Sequence, residues 1–90
     1  MTESVTGWCV YLLGCSDGTY YTGITSDIER RVIEHNESSR GARYTRARRP
    51  VVLVYREACE SRSAAARREW EIRKLSRADK QLLAARAGSG

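Results

Sequence analysis

The chain is poor in the residues that cross-link a fold, cage a soft metal or cross a bilayer. It has three cysteines, Cys9, Cys15 and Cys59. The count is odd and no Cys-x-x-Cys pair occurs, so neither a disulfide framework nor a structural zinc site is expected. Cys9 and Cys59 are expected to pack as small apolar residues. No apolar run reaches the length that spans a membrane, and residues 1–7 carry neither a basic segment nor the apolar stretch of a secretion signal. These absences predict a reduced, cytoplasmic protein with no membrane partner. Histidine occurs once, at His35, and lysine only at Lys74 and Lys80. No internal repeat or interdomain linker is visible. Ninety residues then fit one domain spanning 1–90, with a core over about 8–86 and flexible termini including the tail 88–90.

What is present is arginine. Lys plus Arg total 16 against 11 acids, for a formal charge of +5, and all but two of the 16 are arginine. Arginine grips phosphate bidentately, whereas lysine acts as a point charge. A basic balance suits a polyanionic partner, although it also serves solubility. The charge is concentrated: Arg40, Arg43, Arg46, Arg48 and Arg49 fall within one stretch that contains no acid, with Tyr44 among them. A basic loop enclosing an aromatic ring fits phosphate tracking with base stacking, the competing reading being a solvated loop.

Residues 8–13 and 19–24 read as two short strands around the turn signal Ser16-Asp17-Gly18. A two-residue Asp-Gly loop would put Tyr11 and Tyr21 on opposite faces. A three-residue loop with Gly18 left-handed pairs Cys15 with Thr19 and sets Tyr11 opposite Gly23. Both tyrosines then share a face, and Gly23 leaves room for the Tyr11 ring. The three-residue loop is predicted. Ser26-Asp27-Ile28-Glu29 has the form of a capping box opening a helix. Ile28 and Val32 form its inner stripe, and Arg31 and His35 join that stripe at i+3 and i+7 from Ile28. Residues 38–50 read as a loop, and the β-branched run 51–55 as a buried central strand. Ser61 or Ser63 caps a second helix running to about residue 75, with Ala65, Ile72 and Leu75 inward and Glu69 at the margin. Ser76 opens a third helix ending near residue 86. The fold class is α+β, a small three-stranded antiparallel sheet flanked by helices.

Two triplets carry a family resemblance. Cys9-Val10-Tyr11, with Cys9 standing for glycine and Val10 for isoleucine, and Tyr21-Thr22-Gly23, with Thr22 for isoleucine, resemble the paired signatures of the GIY-YIG nucleases. The stretch ending in Glu29-Arg30-Arg31, then Glu34-His35-Asn36, Gly41-Ala42-Arg43-Tyr44-Thr45 and Arg68-Glu69-Trp70, is similar to small stand-alone members. The similarity extends to Slx-type endonucleases and, more distantly, to the excinuclease C nuclease domain. Either triplet alone is a weak signal; both, with Arg31, His35 and Glu69 in order, are fairly specific.

The resemblance implies a GIY-YIG fold and a catalytic set of Tyr11, Tyr21, Arg31, His35 and Glu69. One tyrosine would help activate the attacking water while the other orients it or the phosphate, and which does which stays open. A free tyrosine has a pKa of about 10, so Arg31, His35 or a metal-bound water would have to lower it. Arg31 would hold the scissile phosphate rather than pair with Glu34 or Asp27, and His35 would act as base or proton shuttle. Glu69 would ligate one divalent cation, Mg²⁺ or Mn²⁺, unless it merely pairs with Arg73, and Glu71 lies on another face. Tyr44 would either stack bases or enter the catalytic pocket, with Asn36 a weaker candidate for that pocket.

The implied activity is metal-dependent hydrolysis of DNA phosphodiesters, linked to repair or processing of branched, damaged or single-stranded DNA. One small domain implies reliance on a partner protein, a dimer or DNA shape for site choice. The rival is a non-catalytic nucleic-acid-binding module on the same fold, to which Cys9 in the glycine position lends some weight. RNA is the third option, though nothing in the chain reads a 2′-hydroxyl.

Overall fold

The computed structural model describes residues 7–89. In chain order the elements are β1 (Cys9–Cys15), β2 (Tyr20–Thr25), α1 (Ile28–Glu37), α2 (Arg43–Arg46), β3 (Val51–Ala58), α3 (Arg62–Arg73) and α4 (Arg77–Ser89). The expectation for 1–6 and for Gly90 lies outside the described residues. α4 runs on through Ser89, three residues past its expected end and through part of the expected tail. No helix among the described residues is long and apolar enough to cross a membrane.

The sheet is antiparallel in the order β2-β1-β3, so β1 is its centre. The sequence reading had placed the 51–55 run there, and the structure corrects it. Five consecutive β1 residues, Cys9, Val10, Tyr11, Leu12 and Leu13, are buried, because a layer packs on each face. Tyr11, Leu13 and Cys15 meet Tyr21, Ile28 and Val32 on the α1 side. Val10 and Leu12 meet Ile72, Leu75 and Leu83 of the α3–α4 side. β3 is an edge that leaves Val52 and Leu53 exposed. Its register slips between Leu12 and Leu13, whose partners are Tyr55 and Leu53, so Val54 is an extra residue. A bulge of this kind breaks alternation and makes an edge strand read as an unbroken apolar run.

The hairpin follows the three-residue geometry. The Cys15 N–H donates to Thr19 O at 2.9 Å and the Gly18 N–H to Cys15 O at 3.0 Å. Gly18 has φ 85°, the left-handed conformation that a glycine adopts without strain. Tyr11 therefore faces Gly23, and Leu13 faces Tyr21. α1 is capped by Asp27 rather than Ser26: the Asp27 carboxylate accepts from the Arg30 N–H at 3.2 Å, one position later than the capping box implies. Ser61 caps α3 by accepting from the Ala64 N–H at 3.1 Å, and Ser76 accepts from the Asp79 N–H at 3.1 Å ahead of α4. The expected loop 38–50 contains the single-turn helix α2. Its threonine and glycine neighbours pack onto α1, which a reading of charge alone does not reveal.

Candidate active site

Tyr11 projects from the central strand with 1% of its surface exposed. Its ring lies over Gly23: a Cβ there would fall 2.6 Å from Tyr11 Cζ and closer still to its hydroxyl. The hydroxyl meets His35 Nε2 at 2.8 Å. His35, fully buried on the inward face of α1, reaches Thr45 Oγ1 through Nδ1 at 2.8 Å. The Thr45 hydroxyl donates to Ala42 O at 2.9 Å. With its one proton so used, Thr45 can accept from an Nδ1–H, an arrangement that would leave Nε2 as acceptor for the Tyr11 O–H. The Ala42 N–H also approaches Nδ1, but at a long 3.4 Å.

The charges of this pair differ from the sequence expectation. Burial pushes the Tyr11 phenol up to about 12, outweighing the nearby Arg31 guanidinium, while Tyr21 and Glu69 add smaller upward pushes. Burial, aided by the positive charges of Arg31 and Arg49, pulls His35 down to about 4. From the protein's own groups, then, Tyr11 is a neutral phenol and His35 a neutral imidazole near pH 7. Burial disfavours a resting His35 cation, so His35 does not act as the positive charge that lowers the tyrosine near pH 7.

Around this pair the aromatic rings continue outward. Tyr21 lies 6.5 Å from Tyr11, 5.1 Å from His35 and, nearly parallel, 6.0 Å from Tyr44, centre to centre. Arg48 covers the Tyr44 ring at 3.8 Å, donates to Tyr44 O at 3.0 Å and pairs with Asp17 of the hairpin turn at 3.0 Å. Tyr44 is thus fixed to the turn that sets the tyrosine register.

Arg31 is half-buried, and the pairing with Glu34 that its inward phase argued against does form, at 2.9 Å. The same Nη1 donates to Arg40 O at 2.9 Å, and the guanidinium also acts on Tyr11 by hydrogen bonding and by charge, and on His35 by charge. Glu69 stands one turn before the buried Ile72 on α3, and its charge is felt at Tyr11. Its contact with Arg73 is a loose 4.0 Å. Glu71 points elsewhere and pairs with Arg68 at 3.1 Å.

The basic segment divides in two. The side chains of Arg40, Arg43 and Arg46 are exposed. Those of Arg48 and Arg49 are partly covered and engaged by the protein itself. Arg49 donates to His35 O at 2.6 Å and to Ser38 O at 2.7 Å, satisfying carbonyls at the end of α1. The Asn36 amide is spent on both backbone groups of Val51, at 2.8 and 2.9 Å.

Two positions that sequence reasoning passed over are structural keys to the site. Thr45 is fully buried and meets His35 Nδ1 at 2.8 Å, on the far side of the ring from Tyr11. Gly41 lies so close to α1 that a Cβ would sit 2.6 Å from Glu34 O and 2.8 Å from His35 Cα. The motif Gly41-Ala42-Arg43-Tyr44-Thr45 held the signal: its glycine allows the approach and its threonine makes the bond.

A divalent cation can be tested against the donors present. Among the described residues no three His, Cys, Asp or Glu side chains converge into a cation cage, so a closed zinc or calcium site does not fit. A lightly paired, partly exposed carboxylate such as Glu69 does fit a hard cation that keeps most of its waters and takes phosphate oxygens as ligands.

A hairpin bearing two tyrosines on one face, an arginine and histidine on the following helix and a later helical glutamate are the features of the nuclease domain named for those two triplets. The chain belongs to the GIY-YIG family, whose catalytic domain matches residues 7–82. A UPF0213 protein of Desulfotalea psychrophila is 59% identical over 84% of this chain and 69% of its own length. One of Halobacterium salinarum is 57% identical over 82% of this chain and 95% of its own. Among solved structures, the solution structure of a UPF0213 protein from Bacillus halodurans is 44% identical, with a TM-score of 0.54 over 90% of this chain and 86% of that one. A protein of E. faecalis gives 41% and 0.59 over 90% and 85%.

Proposed function

We propose that this protein is a metal-dependent endonuclease that hydrolyses DNA phosphodiester bonds, acting on branched, damaged or single-stranded regions in repair or processing. The observation that carries the reading is the Tyr11–His35–Thr45 chain. A phenol bonded to a neutral imidazole can take a proton without first ionising. As water attacks phosphorus, Tyr11 Oη accepts the water's proton and passes its own to His35 Nε2, while Nδ1–H stays on Thr45. The imidazolium forms only as charge builds on the phosphate, where Arg31 offsets it. Tyr21 orients the water or the phosphate from beside Tyr11. Glu69 would hold the cation, Mg²⁺ or Mn²⁺, which when bound supplies positive charge against the scissile phosphate. Phosphate tracking falls to Arg40, Arg43 and Arg46, while Arg48 and Arg49 serve the interface by bracing Tyr44 and the end of α1. Cys9 does not argue for the non-catalytic rival: it lines a separate hollow with Trp8, Ser26 and Arg56, and Tyr11 keeps its bond to His35.

The test is incubation of the purified protein with labelled single-stranded, duplex, flap and four-way-junction DNA, each with Mg²⁺, Mn²⁺ or chelator. Nicking that needs metal, with binding that survives chelation, supports the reading. Tight binding without nicking under either metal would move the protein to the binding-module class.

A further inference from the structure

A second hollow opens beside the tyrosines, away from the bond that Tyr11 makes with His35. It holds about 210 Å³ and is lined by Tyr20, Tyr21, Thr22, Tyr44, Arg73 and Lys80. Four elements meet there: β2 at the free edge of the sheet, α2, α3 and the first turn of α4. Three of the six lining residues are tyrosines, two are cationic and none is acidic. Arg73 has only its loose 4.0 Å contact with Glu69, and Lys80 makes no ion pair among the described residues.

We propose that this hollow is a subsite for a single unstacked nucleotide of the substrate strand, next to the scissile phosphate. The hollow is open on one side and has room for one planar ring system. Tyr44 with one of the strand tyrosines offers a ring to stack on, and the cations of Arg73 and Lys80 suit the nucleotide's phosphate. The absence of a carboxylate excludes a cation site, and the two positive charges disfavour an apolar side chain from a protein partner. Tyr21 belongs to both the hollow and the aromatic cluster around His35, which sets the hollow beside the residues proposed for catalysis. A base enters only after leaving the helical stack, at least cost where it is already unpaired. The position relative to the cut rests on the nuclease reading; the occupancy of the hollow does not.

The test is fluorescence anisotropy with the whole protein in chelator, at one salt concentration, on a perfect duplex and on the same duplex carrying one extra unpaired nucleotide. A third duplex carries an abasic residue at that position, which disturbs the helix without offering a ring. The wild type is expected to bind the unpaired base about tenfold tighter than the other two. Lys80→Ala and Tyr20→Leu are expected to lose that preference and keep their affinity for the perfect duplex. Tyr20 packs partly into the core, so its variant is checked by thermal melting; Lys80→Ala changes only a helix-surface side chain. No preference in the wild type, equal preference for the abasic duplex, or a preference intact in Lys80→Ala would overturn the proposal. Metal-dependent cleavage, measured in parallel, separates the two claims: preference without cleavage sinks the nuclease reading alone, and cleavage without preference sinks the subsite alone.

Discussion

Tyr11 and His35 are 24 positions apart in the chain and 2.8 Å apart in the fold, phenol oxygen to imidazole nitrogen. The contact requires the hairpin register, the inward phase of α1 and a third partner, Thr45, on the far side of the ring. It makes a neutral pair out of two residues that the sequence alone presents as a phenolate and its cationic helper.

The first prediction concerns the histidine charge. His35 is the only imidazole, so its titration is directly visible by ¹⁵N NMR. The expected result is a neutral Nδ1–H tautomer that begins to protonate only near pH 4. The sign for stability follows. Above pH 6.5 neither state carries the proton; between 6.5 and about 4 the unfolded chain takes it first, so the fold loses stability as pH falls; below about 4 this contribution is flat. The loss amounts to about 3 kcal/mol, and His35→Gln should remove this part of the decline, leaving the smaller acid-side loss from Glu34 and Asp17, whose carboxylates are held low by their partners. A His35 midpoint near 6.5 would show the pair to be solvated.

Gly23 is predicted to tolerate no side chain. A Cβ would press on Tyr11, which is pinned between the sheet and His35. Gly23→Ala should cost about 1–3 kcal/mol in urea denaturation and displace the hydroxyl from Nε2, so cleavage should fall further than stability explains. A variant with wild-type stability and wild-type rate would mean that the ring does not lie where it is described.

Thr45→Val keeps shape and removes the acceptor for Nδ1–H. It should destabilise by about 1–3 kcal/mol, the cost of a buried unsatisfied group, and slow cleavage by about tenfold or more, with Thr45→Ser restoring much of both. NMR of the variant should show His35 released from its single tautomer. Unchanged tautomer and rate would remove Thr45 from the site.

Salt dependence separates the arginines. Arg43→Ala and Arg46→Ala should each reduce the slope of log affinity against log salt by about 0.9 on duplex DNA. Arg48→Ala should weaken binding with the slope unchanged, because Arg48 acts by holding Tyr44. Little loss of fold stability is expected, since its ion pair with Asp17 is at the surface. A slope change for Arg48 equal to that of Arg43 would give it a phosphate of its own.

Much of this was legible in the sequence where one residue set one geometry. Ser16-Asp17-Gly18 decided the turn, the turn decided the register, and the register put Tyr11 over Gly23. The spacing of Ile28, Arg31 and His35 turned the last two inward. Other features were hidden because they depend on contacts between distant segments. The rank of β3 as an edge depends on which strand is covered twice, and the bulge at Val54 disguised it. The destination of the Arg49 guanidinium and the desolvation that raises Tyr11 and lowers His35 become visible only once α1 has packed. Thr45 sat within a quoted motif, yet its partner is ten positions away, and an arginine-rich segment invites a reading by charge alone.

The most direct test of the account is the single-turnover cleavage rate of the preferred DNA by wild type, Tyr11→Phe, Glu69→Gln and Glu71→Gln under saturating Mg²⁺. The account predicts losses of about 10²–10⁴-fold for Tyr11→Phe, an equally severe loss for Glu69→Gln, and a wild-type rate for Glu71→Gln. A folded Tyr11→Phe that cleaves at the wild-type rate, or a loss in Glu71→Gln with none in Glu69→Gln, would contradict it.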